Sequence, residues 1–284
     1  MEYDNPINFI KDLKSQHRSI ISTMCDIDSQ DGGASNIRTS VEKLNKITDL
    51  LFNHLEKEDK QLYPTLINAK ETQDLGKKYY YDMERLSCIA IDFFKKYCAH
   101  NEGGKIFVED FVNAYSLFKG LLKTRIKREE AELYPAFILL QSGVLDSEVL
   151  NYIHEQERKV SIKQKNVIVC GKDPLTVDAL ALTLEIAGHK VTSTHNTNRV
   201  LSLIESRSSD LILIDLSENN KELGDLVTNL KMQLKPDAQI VGFSRTAVNK
   251  ELEHNLAINI NDFIPNATSD IEGFSNTIGQ LLTK

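Results

Sequence analysis

The sequence predicts two domains of different class, an antiparallel four-helix bundle over residues 1–160 and an α/β domain with a parallel sheet over residues 165–284. Three observations carry that prediction. The 284 residues suit two domains of ~100–200 residues each. In the first half, apolar residues recur mostly at steps of three, four and seven, the spacing of a packed helix seam. After about Lys163 they gather into short runs separated by helical stretches, the pattern of buried strands in βα units.

The first helix carries Phe9, Leu13, Ile20, Met24 and Ile27 on one stripe, and the second carries Leu44, Ile47, Leu51 and Leu62. The third shows Tyr79, Leu86, Ala90, Phe93 and Tyr97; the fourth shows Phe111, Tyr115, Phe118, Leu122 and Leu133. Breaks are expected at Asp31-Gly-Gly, near Ala69–Gln73 and at Asn101-Glu-Gly-Gly, where glycines stop helices. Short connections between long helices make antiparallel neighbours. A shorter helix over about 145–157 leads to a polar linker at residues 160–165.

In the second half, Val167–Cys170, Leu211–Ile214 and Ile240–Phe243 read as buried strands, and Asn261–Asn266 as a fifth. Leu175–Ala187, Leu223–Leu234 and Ile271–Leu282 read as helices between and after them.

Composition excludes several roles. The net charge of −7 disfavours a nucleic-acid footprint or an anionic membrane surface. No apolar run of about 18 residues exists, and the first residues lack a signal-peptide pattern, so a cytoplasmic location is expected. Cys25, Cys88, Cys98 and Cys170 form no CxxC and read as buried, reduced thiols.

The chemistry-bearing signal in the bundle is an internal echo. His54–Pro64 reads HLEKEDKQLYP and Arg125–Pro135 reads RIKREEAELYP, aligning Glu58 with Glu129 and repeating Leu-Tyr-Pro. Pro64 and Pro135 are expected to bend or end their helices. His17 lies on the first helix's apolar stripe, His54 and Glu58 share one face of the second, and Glu129 lies on the stripe of the fourth. Carboxylates in a core need a partner or a metal.

On these residues, the chain up to about residue 158 resembles a hemerythrin-like (HHE cation-binding) domain. That family holds two irons between its helices. The resemblance assigns His17, His54, Glu58 and Glu129 to ligand positions. It puts Tyr79 and Met83 where third-helix histidines belong, with Glu84 as an adjacent alternative, and Arg125 in place of the fourth-helix histidine. A guanidinium cannot ligate a metal, because it has no acceptor and stays charged. Three readings follow. In the first, Arg125 supplies the counter-charge, pairing with Glu129 and across the bundle with Glu58, and no cofactor is held; in the second, one iron or other divalent ion sits among His17, His54, Glu58 and Glu129; in the third, a full di-iron oxygen site forms. The remaining histidines, His100, His154, His189, His195 and His254, read as surface residues.

The second half resembles the receiver domain of response regulators, which implies a flavodoxin-like doubly wound fold and a bacterial two-component signalling context. Asp215 then takes the phosphoacceptor position and Ser244 the hydroxyl position. Gly171 and Lys172 take the place of the magnesium-binding acidic pair, Asp173 falls one residue late, and Asn266 lies near the lysine position. Phosphoryl transfer in such sites depends on a metal. Loss of the pair therefore implies a pseudo-receiver, in which Lys172 either pairs with Asp215, lowering its pKa, or points to solvent.

The expected function is a non-enzymatic cytosolic adaptor that binds signalling proteins, binds no nucleic acid or membrane, and has surfaces that permit a homodimer. The resemblance suggests residues 249–282 as its receiver docking face. No helix-turn-helix, kinase or cyclase signature follows the receiver-like segment. The alternative is a sensor of oxygen, redox state or iron at His17, His54 and Glu58.

Overall fold

The computed structural model describes residues 5–30, 35–98, 107–143, 151, 164–206, 208–217, 221–245 and 260–282. The chain divides into two compact units, Met1–Val112 with Leu122–Ser161 and Asn113–Leu121 with Ile162–Lys284, the first helical and the second holding the parallel sheet.

Helix α1 (Pro6–Asp28) begins where the sequence offers a cap. Asn5 Oδ1 accepts from the Ile7 amide at 2.8 Å, and Pro6 takes a first-turn position that needs no amide donor. Its buried stripe is Phe9, Ile10, Leu13, His17, Ile20, Met24 and Ile27. Helix α2 (Ile37–Lys57) runs antiparallel to it. Asp12 meets Lys57 at 2.5 Å, Gln16 meets His54 at 3.2 Å, and the Asp26 carbonyl accepts from Lys43. Helices α4 (Gln73–Tyr97) and α5 (Val108–Arg128) pair the same way: Tyr97 donates to the Asp110 carbonyl at 3.2 Å and Arg128 to Asp82 at 3.1 Å.

The two Leu-Tyr-Pro repeats fold alike, and of the two expected outcomes, a bend or an end, neither helix ends at its proline. In each, the helix widens into a π turn, Glu58–Leu62 and Glu129–Leu133, and then continues as α3 (Tyr63–Asn68) and α6 (Tyr134–Gln141). The prolines enter the first turn of these continuations, where a missing amide costs little. The wide turn ahead of each proline relieves the clash that would otherwise break the helix. The helix expected over about 145–157 and most of the linker lie outside the described residues.

The α/β unit has strands β1 (Asn166–Cys170), β2 (Lys190–Thr194), β3 (Leu211–Asp215), β4 (Gln239–Phe243) and β5 (Asp262–Ile264). All pair in parallel, in the order β2-β1-β3-β4-β5, with helices α7 (Pro174–Ile186), α8 (Arg199–Ser206), α9 (Lys221–Gln233) and α10 (Ile271–Leu281) between and after them. This is the flavodoxin-like, doubly wound arrangement, whose strand order reverses between β1 and β3. The core is built from the strand residues Ile168, Cys170, Ile212, Ile214 and Ile240, with Val227 and Leu230 of α9. Register sets Cys170 beside Ile214 and Asp215 beside Phe243, so the carboxyl ends of β1 and β3 adjoin.

Two expectations are corrected. Only Cys170 among the cysteines is buried; Cys25 and Cys88 are exposed and Cys98 is half-buried, all of them free thiols. His189 is buried at 5% exposure, because it leads directly into β2. His195 is exposed as expected, beside Asp178 at 3.1 Å; His100, His154 and His254 lie outside the described residues. Among the described residues no helix is long and apolar enough to cross a membrane.

Candidate functional site

The bundle brings together His17, His54, Glu58, Arg125 and Glu129, each at most 4% exposed. Arg125 is the hub. Its Nε bonds Glu129 Oε1 one turn along, and its Nη2 donates to the Tyr63 hydroxyl at 2.5 Å. Tyr63 in turn donates to Glu58 Oε2 at 3.0 Å. The cross-bundle pairing of Arg125 with Glu58 is thus relayed through a tyrosine. Tyr134, the partner of Tyr63 in the repeat, donates to Glu58 Oε1 at 3.0 Å. Each π turn separates its glutamate from its tyrosine by five residues, and Tyr63 reaches its own repeat's Glu58 across that turn.

The histidines are oriented from outside the cluster. His17 Nδ1 lies 3.0 Å from Glu130 Oε1, and His54 Nδ1 lies 3.2 Å from Gln16 Oε1. Both partners are acceptors, so each Nδ1 carries the proton and each Nε2 faces inward. The two Nε2 atoms are 3.1 Å apart, and His17 Nε2 is 3.2 Å from Glu129 Oε2 and from the Tyr134 oxygen. These contacts are satisfied when His17 also carries a proton at Nε2. Burial alone would lower the His17 pKa, but the bond and charge of Glu129, with Glu130 and Glu58, raise it overall. A protonated His17 donates at Nδ1 to Glu130 and at Nε2 inward. Below the raised His17 pKa, two buried carboxylates face two buried cations, Arg125 and His17.

The other charges respond accordingly. Burial acts to raise the Glu129 pKa, but Arg125 and His17 outweigh it and bring it to about 2. The Tyr63 and Tyr134 hydroxyls are pushed well up, chiefly by burial and then by neighbouring carboxylates, against which Arg125 acts in the opposite sense at Tyr63. They stay donors to Glu58.

Tyr79 and Met83 take other roles. The Tyr79 hydroxyl donates to Glu132 at 2.7 Å, while its ring lies 4.8 Å from the Arg125 guanidinium and 4.7 Å from that of Arg128. Met83 accepts from Ser87 at 3.2 Å and lines a small cavity beside the cluster.

Two metal sites are not equally well served. The position expected of a second ion's histidine is filled by a buried guanidinium, which repels a cation and offers no lone pair. A single ion finds better donors: one atom each from His17, His54 and Glu129 lies within 4.8 Å of the others. Two nitrogens ~2.1 Å from one ion at a right angle stand about 3 Å apart, close to the spacing of the imidazoles here.

In the α/β unit, Asp215 lies at the carboxyl end of β3, 9% exposed, and its Oδ1 accepts from the Ser217 amide at 2.9 Å. A nearby cation is Arg245, with Nε 4.0 Å from Asp215 Oδ2 and Nη1 4.0 Å from Asp173 Oδ2. Lys172 is exposed. Instead of the lowering expected from a lysine partner, the Asp215 pKa is raised, by burial first and also by Asp173, against the opposing Ser217 bonds and Arg245. Asp173 is occupied as the cap of α7, accepting from the Thr176 amide at 3.1 Å and hydroxyl at 2.6 Å. Gly171 is packed so closely that a Cβ there would meet Asp215 Cβ at 2.7 Å. A carboxylate is therefore not merely missing at that position; a side chain does not fit. Ser244 is fully buried, its amide bonded to the Ile264 carbonyl at 3.1 Å. Asn266 sits exposed in a turn with φ 50°, a conformation asparagine tolerates, and its carbonyl accepts from the Ser269 amide at 2.9 Å. Residues 249–259 of the docking segment expected over 249–282 lie outside the described residues.

Reasoning from sequence passed over Tyr63, Tyr134, Glu130 and Gln16 in the bundle, and Ser217 and Arg245 in the sheet unit. The repeated Leu-Tyr-Pro was a usable signal for the tyrosines. Nothing in the spacing pointed to Arg245, which approaches from the loop after β4.

No protein-family profile matches the chain, and no curated protein does. Among solved structures, part of the chain is similar to a response regulator from Thermotoga maritima, at 20% identity and TM-score 0.39 over 43% of this chain and 99% of that one. It is also similar to an orphan response regulator of H. pylori, at 17% identity and TM-score 0.37, covering 42% of this chain and 96% of the other. A Francisella response-regulator receiver domain gives 18% identity and TM-score 0.37, covering 42% and 98%. The fold assignment itself rests on the strand order and register described above.

Proposed function

We propose that the chain is a non-enzymatic signalling adaptor in the cytosol, in which a hemerythrin-like bundle and a receiver-like domain serve as protein-binding shapes. The observation that carries this reading is Arg125, buried at 4% exposure and bonded to Glu129 and, through Tyr63, to Glu58. A fixed positive charge does there what a metal would otherwise do. The receiver-like centre supports the same reading from another direction. Gly171 leaves no room for a magnesium-binding carboxylate, Asp173 is used as a helix cap, and Arg245 approaches both acids. Magnesium has few anchors left. Full-length protein incubated with magnesium and a small-molecule phosphodonor should keep its intact mass. Stoichiometric modification of Asp215 would contradict the proposal. Capture of protein partners should also be unchanged by Asp215→Asn, whereas a phosphorylation-gated adaptor would lose or gain partners.

One specific observation favours a second reading, a mononuclear metal sensor. Both imidazoles are anchored at Nδ1, with Nε2 turned toward Glu129. His17, His54 and Glu129 would hold the ion, with Glu58 adjacent through its 3.5 Å approach to His54. The ion would supply redox or ligand-binding chemistry, and Glu130 and Gln16 would orient its histidines. Metal content separates the two readings.

A further inference from the structure

Strand β2 forms one edge of the sheet, and its register with β1 sets Asn166 beside Lys190 and Ile168 beside Thr192. Side chains alternate along a strand, so these four project from one face. It is the face that carries Ile168 into the core cluster with Val200 of α8. The same four residues, with Ser208 and Ser209 from the segment between α8 and β3, line a cavity of about 400 Å³. That volume lies within the roughly 300–1,000 Å³ of small-molecule sites.

Charge and donors define what this cavity takes. Lys190 is exposed, and its amide donates to the Lys165 carbonyl at 2.9 Å. Among the described residues neither lysine has an ion-pair partner, although the chain as a whole carries a net charge of −7. Asp210, the acid next to the serines, is engaged elsewhere: its Oδ2 accepts from the Asn166 amide at 2.7 Å. The positive field reaches His189, whose pKa is lowered by burial first and then by Lys165. Ser209 is 8% exposed, and its hydroxyl is buried without a partner. A polar group left so is unfavourable, and an acceptor at the adjoining wall would relieve it. The larger groove between α1 and α2, about 540 Å³, has no such surplus. Its lysines, Lys57 and Lys60, face Asp12 and Glu56, each at 2.5 Å.

We propose that the cavity beside β2 binds a small phosphate ester, with the phosphate against Lys190 and the serine hydroxyls and the carbon body over Ile168. A phosphate suits these donors better than a carboxylate, because its three terminal oxygens accept from an ammonium and two hydroxyls together. The site is separate from both carboxylate centres and does not depend on the state of either.

The test is an NMR and calorimetric titration of the full chain with glycerol 3-phosphate at fixed ionic strength, beside glycerol and acetate. Glycerol 3-phosphate should shift the amides of Asn166, Lys190–Thr192 and Ser208–Ser209. Lys190→Gln should lower its affinity by about tenfold, and Lys190→Arg should retain most of it. Glycerol and acetate should bind far more weakly. If Lys190→Gln does not fold, Ser208→Ala, on the exposed segment, takes its place. No binding, shifts elsewhere in the chain, equal binding of glycerol or acetate, or an affinity unchanged in the variant would each overturn the proposal.

Discussion

The bundle centre and the sheet centre each set a guanidinium against buried carboxylates, with opposite consequences. In the bundle, Arg125 is 4% exposed and bonded directly to Glu129, and the Glu129 pKa falls to about 2. At the sheet, the Arg245 side chain is 24% exposed and stands 4.0 Å from Asp215, whose pKa rises because burial outweighs that distant charge. A nearby cation is therefore not enough. It must be in hydrogen-bond contact to overcome the desolvation of a buried acid. The bundle cation is a structural element, whereas the sheet cation is a neighbour.

The largest effect should come from removing the structural cation. Arg125→Met leaves Glu129 buried without its partner and should destabilise the bundle by about 3–5 kcal/mol in chemical denaturation. A loss near zero would break the comparison. Tyr63→Phe removes the relay between Arg125 and Glu58 and should cost about 1–3 kcal/mol by the same assay, since it strands a buried acceptor. Arg245→Gln should change stability by no more than about 1 kcal/mol, given the exposure of the side chain and the length of the contact. It should also raise the Asp215 pKa further, read by carboxylate NMR. A loss as large as that of Arg125→Met would erase the distinction between the two centres.

The pH dependence sharpens the same contrast, with directions set by each group. His17 is raised from its ordinary 6.5, so its contribution is full below that value and is lost as pH rises through the higher folded value. Glu129 is lowered from 4.5 to about 2, so its contribution is present above 4.5 and fades as pH falls toward 2. Asp215 is raised, so ionising it opposes folding, and its effect on the α/β unit runs in the opposite sense to that of Glu129. Denaturation midpoints across pH should show the His17 limb flattened in His17→Gln. An unchanged limb would mean that another group titrates there.

Much of this architecture was legible because periodicity reports burial directly. The stripe through Phe9, Leu13, Ile20 and Met24 and the run Leu211–Ile214 both lie in cores. Edge strand β2, Lys190–Thr194, was not legible, because a strand that is mostly half-buried carries no apolar run. Helix seams placed His17, His54, Glu58 and Glu129 together, and the i to i+4 spacing gave the Arg125–Glu129 pair. Tyr63 and Tyr134 were read only as part of a proline bend or stop. The π turn that swings a tyrosine back onto Glu58 depends on how a proline is accommodated, which spacing does not encode. Arg245 was missed because a loop contact made across a fold leaves no periodic trace.

The central claim is that a guanidinium, rather than a metal, balances the buried carboxylates of the bundle. Its most direct test is elemental analysis of freshly purified full-length protein grown with iron and zinc supplied. The account expects well under one ion per chain, with stability unaffected by a chelator. One or more ions per chain, lost together with bundle stability on chelation and on His54→Ala, would contradict it.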